Sequence, residues 1–426
     1  MLTKQAHRGY FFNKPCKLFT HPKHCYTSSA LKQKPPCFSI FPQFYCTFAA
    51  QSTTSNYTYC VPKHFSLNNF THLLLDWWEG NKRSLPWKDT HDPYLIWLSE
   101  IILQQTRVEQ GLPYFERLKA AFPTVAHLAN TPEDQLMHLW EGLGYYSRAR
   151  NLHTTAKHIA FELGGIFPTS YTNIMQLKGV GQYTAAAIAS FAFGLPYAVL
   201  DGNVFRVLAR YFGISTPIDS TEGKKQFAEL ANRLLPPNRP ADYNQALMDF
   251  GALQCKPANP LCSTCPLQPY CVAYKQQTVA ILPVKAKKMV RKARFFTYLV
   301  IQSDQHIYIC KRTNSDIWQN LYEFPMLETA TELPQSHLLT EQQQWQIWFD
   351  GAVPNIINVS KAYRQLLTHQ QITARFWHLQ LPPNTAVPNN WLKIAPLDMA
   401  NYAFPKVLNS YVADYWTQKN TEPSLF

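Results

Sequence analysis

Leu177-Lys178-Gly179-Val180-Gly181-Gln182-Tyr183-Thr184 joins two helical stretches through a Gly-x-Gly turn. Glycines let the backbone turn tightly and expose successive N–H groups. Beside a helix N-terminus, such groups can grip one phosphate without reading base sequence. Alone, a Gly-x-Gly turn is an ordinary loop. Here it runs on into Ala185-Ala186-Ala187-Ile188-Ala189, small residues suited to close helix packing.

About twenty residues on, Val199-Leu200-Asp201-Gly202-Asn203-Val204 sets Asp201 just ahead of an apolar helix carrying Val207, Leu208 and Tyr211. An isolated aspartate there reads as an N-cap. Upstream, Asp92-Pro93 supplies an N-cap and an N1 proline for a helix through about Gln105. Phe70, Leu73, Leu74, Trp77 and Trp78 mark a first amphipathic helix. Further helices are expected near 133–140, 147–163, 183–193, 203–212, 221–235 and 243–253. Strand signals are absent between Ser66 and Lys275.

Downstream lie Cys255, Cys262, Cys265 and Cys271, in the pattern C-x6-C-x2-C-x5-C. Four thiolates this close can close one soft-metal site, a [4Fe–4S] cluster or a structural zinc. Two disulfides are the bland alternative. Residues 285–294, KAKKMVRKAR, carry six positive charges and no negative ones, and read as an exposed linker able to lie along phosphates or simply solvated. Beyond it the period changes. Phe295–Gln302 and His306–Lys311 read as two strands around Ser303-Asp304-Gln305. Later strand-like runs and a helix near Thr340–Trp348 predict an α+β domain.

The 426 residues suffice for about two or three domains. No run of about eighteen apolar residues is present, so no transmembrane helix is expected. The formal charge is +13, but residues 1–65 hold eight Lys or Arg and no acid, leaving +5 for the rest. Basicity alone is therefore weak evidence for nucleic acid. The acid-free segment half fits a mitochondrial presequence, or marks an over-extended start. We read residues 1–65 as disordered.

The hairpin and the alanine-rich helix after it resemble a helix-hairpin-helix DNA-binding motif. The order hairpin, Asp201, four cysteines resembles the endonuclease-III-like superfamily of base-excision glycosylases over residues 66–275. That resemblance implies a mainly α catalytic region, with a cluster at the four cysteines and an aspartate facing a flipped nucleotide. Ser99-Glu100-Ile101-Ile102-Leu103-Gln104-Gln105-Thr106 resembles the signature of MutY-type adenine DNA glycosylases. Leu85-Pro86-Trp87 is similar to the entrance segment of that family, with Trp87, Leu103 and Leu143 at the adenine pocket. Gly142-Leu143-Gly144-Tyr145-Tyr146-Ser147-Arg148 is similar to its duplex wedge, which implies that Gln105 and Tyr145 enter DNA near the lesion and that Gly179 and Gly181 bind its backbone. Lys178 stands where many relatives have proline. Asn314–Pro325 resembles part of a MutT-like (Nudix-fold) domain without the Mg²⁺-binding glutamate box, so nucleoside diphosphate hydrolysis is not expected. In the family this domain reads 8-oxoguanine through a Phe-Ser-His loop. Leu366-Leu367-Thr368-His369 takes that place, with Thr368 and His369 as lesion contacts and Leu367 lacking the aromatic ring.

The residues carry a chemistry. Around Glu100, three of the four helical neighbours Ile96, Trp97, Leu103 and Gln104 are apolar, which favours a protonated carboxyl, as a general acid needs. Glu100 would protonate adenine N7 and Asp201 would stabilise the oxocarbenium-like sugar, on a base first flipped from the stack. The resemblance places Tyr183 and Asn203 in support. A phenol at 183, where bifunctional relatives carry a lysine, cannot form an imine, which implies a mainly monofunctional enzyme. The expected organisation is 66–275 glycosylase domain, 276–294 basic linker, 295–418 Nudix-like domain and 419–426 tail. The expected partner is duplex DNA with adenine opposite 8-oxoguanine or guanine, bound by a monomer with one [4Fe–4S] cluster. The expected location is cytoplasm or nucleoid, or mitochondrion or nucleus if residues 1–65 are a targeting segment. The alternatives are a pyrimidine-lesion glycosylase/lyase and a non-catalytic Fe–S nucleic-acid-binding protein.

Overall fold

Asp92 behaves as its sequence predicts. Its Oδ1 accepts the Tyr94 N–H at 2.8 Å, and Pro93 opens the helix it caps. The computed structural model describes residues 67–286, 290–333, 337–350, 352–382 and 385–419. The expectations for residues 1–65 lie outside these, as does most of the 419–426 tail.

The helical part runs α1 (Leu67–Glu79), α2 (Pro93–Leu103), α3 (Val108–Ala121), α4 (Val125–Asn130), α5 (Glu133–Leu139), α6 (Ser147–Lys157, extended by a π turn at His158–Glu162), α7 (Tyr171–Met175), α8 (Gln182–Phe193), α9 (Gly202–Phe212), α10 (Thr221–Leu234), α11 (Pro240–Leu253) and α12 (Val272–Lys275). No strand occurs among its described residues. α2 and α8 are nearly apolar throughout and are buried on most sides. The alanines of α8 let α2 and α11 approach closely, and Gln104 Nε2 donates to Thr184 Oγ1 at 3.2 Å across the first of these contacts. α9 packs against α11 and α12. That contact brings Arg206 and Arg210 of α9 against the cysteine segment, while Asp201 stands at the start of the same helix.

The C-terminal part holds β1 (Lys292–Ser303), β2 (His306–Lys311), β3 (Tyr322–Glu323), β4 (Met326–Thr329), α13 (His337–Thr340), α14 (Gln343–Phe349), β5 (Asn355–Val359), β6 (Tyr363–Leu366), β7 (Gln370–Gln380), β8 (Trp391–Ile394) and α15 (Lys406–Lys419). The sheet order is β3-β2-β1-β7-β5, with β4 on β1, β6 on β7 and β8 on β2. β1 and β7 pair in parallel from Lys292↔Gln370 to Gln302↔Gln380; the other pairs are antiparallel. One apolar cluster extends from the helices into the sheet and reaches Tyr411, and both parts belong to one compact unit.

The basic run is exposed at Lys285, Ala286 and Val290–Ala293, as expected, and departs from that reading at Arg294. Ala286 N donates to Asp219 Oδ1 at 2.8 Å, and Ile218 N donates to the Val284 carbonyl at 3.0 Å, so this segment lies along the helical part. Residues 292–294 already belong to β1. Arg294 is buried, with its guanidinium forked against both Asp316 and Glu328 at 2.6–3.0 Å. A run of positive charge looks solvated in sequence; two carboxylates brought by other strands and turns allow one of its members to be buried. Residues 287–289 lie outside the described ones.

Candidate active site

Glu100 opens the last turn of α2. Its neighbours Ile96, Trp97, Ile101 and Ile102 are buried, and Glu100 itself is only 5% exposed. Burial pushes its carboxyl up to about 7, opposed by a hydrogen bond from Tyr183 and reinforced by the negative charge of Asp201. Tyr183, on the first turn of α8, also points its hydroxyl at Met248 Sδ, 3.7 Å away. Burial and the two carboxylates hold that phenol well above its ordinary range.

Asp201 is both an N-cap and part of this group. Its Oδ1 accepts the Val204 N–H at 2.7 Å, and its Oδ2 accepts Asn203 Nδ2 at 2.7 Å. Burial raises its pKa, while these donors and Arg206 pull it down. The two carboxyls therefore have unlike surroundings: Asp201 is met by donors that favour its anion, and Glu100 mainly by hydrocarbon and one phenol. Arg206 continues the chain of contacts. Its Nη2 donates to Asn203 Oδ1 at 2.8 Å and to the Gly251 carbonyl at 2.7 Å, and its Nε donates to the Cys255 carbonyl at 2.8 Å. Gly251 is needed there, since a Cβ would lie 2.6 Å from that of Asn203.

The four cysteines are free thiols. All four line one small, mainly apolar cavity with Arg210, Tyr211 and Leu267. Arg210 Nη1 is 3.5 Å from Cys255 Sγ and 2.7 Å from the Lys256 carbonyl. Burial raises the thiols of Cys262, Cys265 and Cys271, that of Cys265 to about 12. Among the described residues, no three His, Cys, Asp or Glu side chains gather as ligands of one ion. The thiols instead surround a space. Four thiols on one cavity fit a soft-metal group, a [4Fe–4S] cluster or a zinc.

Gly179 has φ +82°, and a Cβ there would lie 2.8 Å from that of Asn151, so the hairpin tolerates little else. Gly181 caps α8 without a side chain, leaving the first-turn N–H groups of that helix without intrahelical partners. Gln105 and Tyr145 are both exposed and both left-handed, with φ of 56° and 47°. The sequence offered no role for Arg148, yet it joins their two loops. Its Nη1 faces the carbonyls of Ile101, Ile102 and Gln104 at 2.6–3.0 Å, and its Nη2 faces those of Leu143 and Gly144 at 3.4 and 3.1 Å. Tyr145 hydrogen-bonds to Thr368 of the β6–β7 turn. A cavity of about 630 Å³ opens there, lined among others by Leu143, Tyr145, Arg291, Trp318, Thr368 and His369. Leu143 thus faces this cavity. Trp87 is buried edge-on against Phe115, 5.1 Å between ring centres, and Leu103 is half-buried beside Gly111.

Asp249 was also unassigned. It is wholly buried and accepts from Trp78 Nε1 (3.0 Å), Arg83 Nε (2.6 Å) and Lys88 Nζ (2.6 Å). It ties the Leu85-Pro86-Trp87 segment to α11. Its partners lie more than 160 residues away, so no local signal could mark it; Arg206, three residues after Asn203 on one helix, was within reach of a face-by-face reading.

The family model described as HhH-GPD superfamily base excision DNA repair protein matches residues 98–237, and that of the NUDIX domain matches residues 297–414. The chain is 38% identical over 261 residues to the adenine DNA glycosylase of Buchnera aphidicola subsp. Schizaphis graminum, covering 61% of this chain and 75% of that one. It is 32% identical over 382 residues to the adenine DNA glycosylase of Mus musculus, covering 76% and 73%. A solved thermostable thymine-DNA glycosylase is 32% identical, with a TM-score of 0.47 over 49% of this chain and 97% of that one. With its helix-hairpin-helix part and its Nudix sheet, the chain belongs to the adenine DNA glycosylases of base excision repair.

Proposed function

We propose that this chain hydrolyses the N-glycosidic bond of adenine opposite 8-oxoguanine or guanine in duplex DNA, as a mainly monofunctional enzyme acting as a monomer. The observation that carries the reading is the pair of unlike carboxyls: Glu100, buried and held up to about 7, beside Asp201, which is met by three donors. The hairpin at Gly179 and Gly181 binds backbone phosphate. Gln105 and Tyr145 enter the stack as adenine leaves it. Trp87, Leu103 and Leu143 belong to the adenine pocket of the family pattern. Glu100 gives its proton to N7, so the base departs neutral. Asp201 then meets the positive charge on the sugar as a carboxylate, with Asn203 fixing which oxygen faces it, until a water adds at C1′ and gives up a proton. Tyr183 orients the Glu100 carboxyl through a hydrogen bond that by itself favours the anion, and it offers no amine for an imine. Thr368 and His369 face the opposite base. Cys255, Cys262, Cys265 and Cys271 would hold a [4Fe–4S] cluster, which when bound would tie down the loop after α11 and so support docking on DNA. No helix among the described residues is long and apolar enough to cross a membrane; we assign the chain to the compartment of the genome it repairs.

Single-turnover release of adenine from duplexes carrying A opposite 8-oxoguanine, G, T and C tests this. Release from the first two is expected, and release from none would end the proposal. Asp201→Asn is expected to abolish release while duplex binding persists. Efficient covalent trapping with borohydride would instead favour the glycosylase/lyase alternative.

A further inference from the structure

The helical and sheet parts meet through polar contacts that lean on three carboxylates in one short stretch. Asn320 donates to Glu133. Lys311 and Tyr322 both meet Asp134. The Phe404 N–H (2.9 Å) and Asn409 Nδ2 (2.6 Å) both donate to Glu141 Oε1. The other oxygen, Oε2, faces His138 Nδ1 at 3.8 Å. Two donors from the C-terminal part thus converge on one oxygen of one side chain, a charge-assisted arrangement stronger than its neutral equivalent.

The position of Glu141 gives the contact its meaning. Glu141 is the residue before Gly142-Leu143-Gly144-Tyr145, and its own carbonyl accepts Tyr114 OH at 2.6 Å. The same sheet part also meets the tip of this loop, where Tyr145 bonds to Thr368. The loop is therefore gripped by the C-terminal part at root and tip. Arg148 fixes its middle from the helical side, through the Leu143 and Gly144 carbonyls.

We propose that Glu141 is a positioning residue: a latch, closed by Phe404 N–H and Asn409, through which docking of the C-terminal part sets the wedge loop and so couples the identity of the opposite base to adenine release. This rests on the function proposed above for Tyr145, Thr368 and His369. Glu141 touches none of the residues assigned to bond cleavage.

The test compares single-turnover adenine release from duplexes with A opposite 8-oxoguanine and A opposite G, using the full chain. In Glu141→Ala, which loses two charge-assisted hydrogen bonds, the preference for the 8-oxoguanine duplex is expected to fall at least about tenfold. Asn409→Ala moves it in the same direction. Glu141→Gln, which keeps an Oε1 acceptor for both donors but loses the charge, lowers the preference less than Glu141→Ala does. The double variant Glu141→Ala/Asn409→Ala loses no more than Glu141→Ala alone. A merely structural role would lower both rates together and leave their ratio in place. If Glu141→Ala does not fold, Asn409→Ala carries the comparison. A wild type that discriminates, with variants that discriminate equally well, sinks the latch alone. A wild type that releases adenine from neither duplex sinks the functional reading and the latch with it.

Discussion

Glu100→Gln removes one ionisable group while keeping its size and an acceptor for Tyr183. The folded protein holds the Glu100 carboxyl at about 7, against 4.5 for an ordinary glutamate. The sign follows from proton binding: between these values the folded state binds the proton more tightly than the unfolded state does. Wild-type stability is therefore lost as pH rises from about 4.5 through 7, and glutamine is spared that loss. At about 1.4 kcal/mol per pH unit, the variant gains about 1 kcal/mol at pH 5.5 and about 3 kcal/mol at pH 8. For a domain of this size that is about 6–12 °C in melting temperature at pH 8. Thermal or urea unfolding at several pH values measures it. Adenine release by the wild type should fall roughly tenfold between pH 6 and pH 8 as the acid ionises, and the variant should release none at any pH. A variant no more stable at pH 8 than at pH 5.5, relative to wild type, would refute the buried-acid argument.

Three further outcomes are expected. Asp249→Ala strands Lys88 and Arg83 beside a buried cavity and should cost about 3–5 kcal/mol, read as the unfolding midpoint, because breaking one partner of a buried pair leaves the other uncompensated. Gly179→Ala forces a side chain into a left-handed position against Asn151; it should cost about 1–3 kcal/mol and weaken binding even to undamaged duplex, measured by a filter or anisotropy assay. Cys265→Ser should lower the iron content and the visible charge-transfer absorption of the purified protein; a variant with undiminished iron per chain would count against this ligand set.

Local signals carried much of the architecture. Asp92-Pro93, the Gly-x-Gly turn and the aspartate before α9 announce themselves because each satisfies backbone groups within three residues of itself. Glu100 was legible because helical neighbours decide its burial. α4 and α7 were not, since helices of six and five residues owe their existence to what they pack on. α3 hides its pattern behind an internal Pro113. Arg294 was misread because its carboxylates come from 22 and 34 residues away. Asp249 and Arg148 share that character: each is a buried charge whose partners are remote, and only the folded chain brings them together.

Arg148 has a consequence for how DNA is met. Left-handed backbone is unfavourable for glutamine and tyrosine, yet both Gln105 and Tyr145 adopt it while exposed. One guanidinium, still cationic although burial lowers it to about 10, braces the turn behind each of them. The conformational penalty is met once, by folding, and is not charged again at each encounter. The two side chains proposed to enter the stack then stand at a fixed gauge before any duplex arrives. A duplex that opens by that spacing is accommodated; one that resists must deform itself, because the protein side has little freedom left to yield.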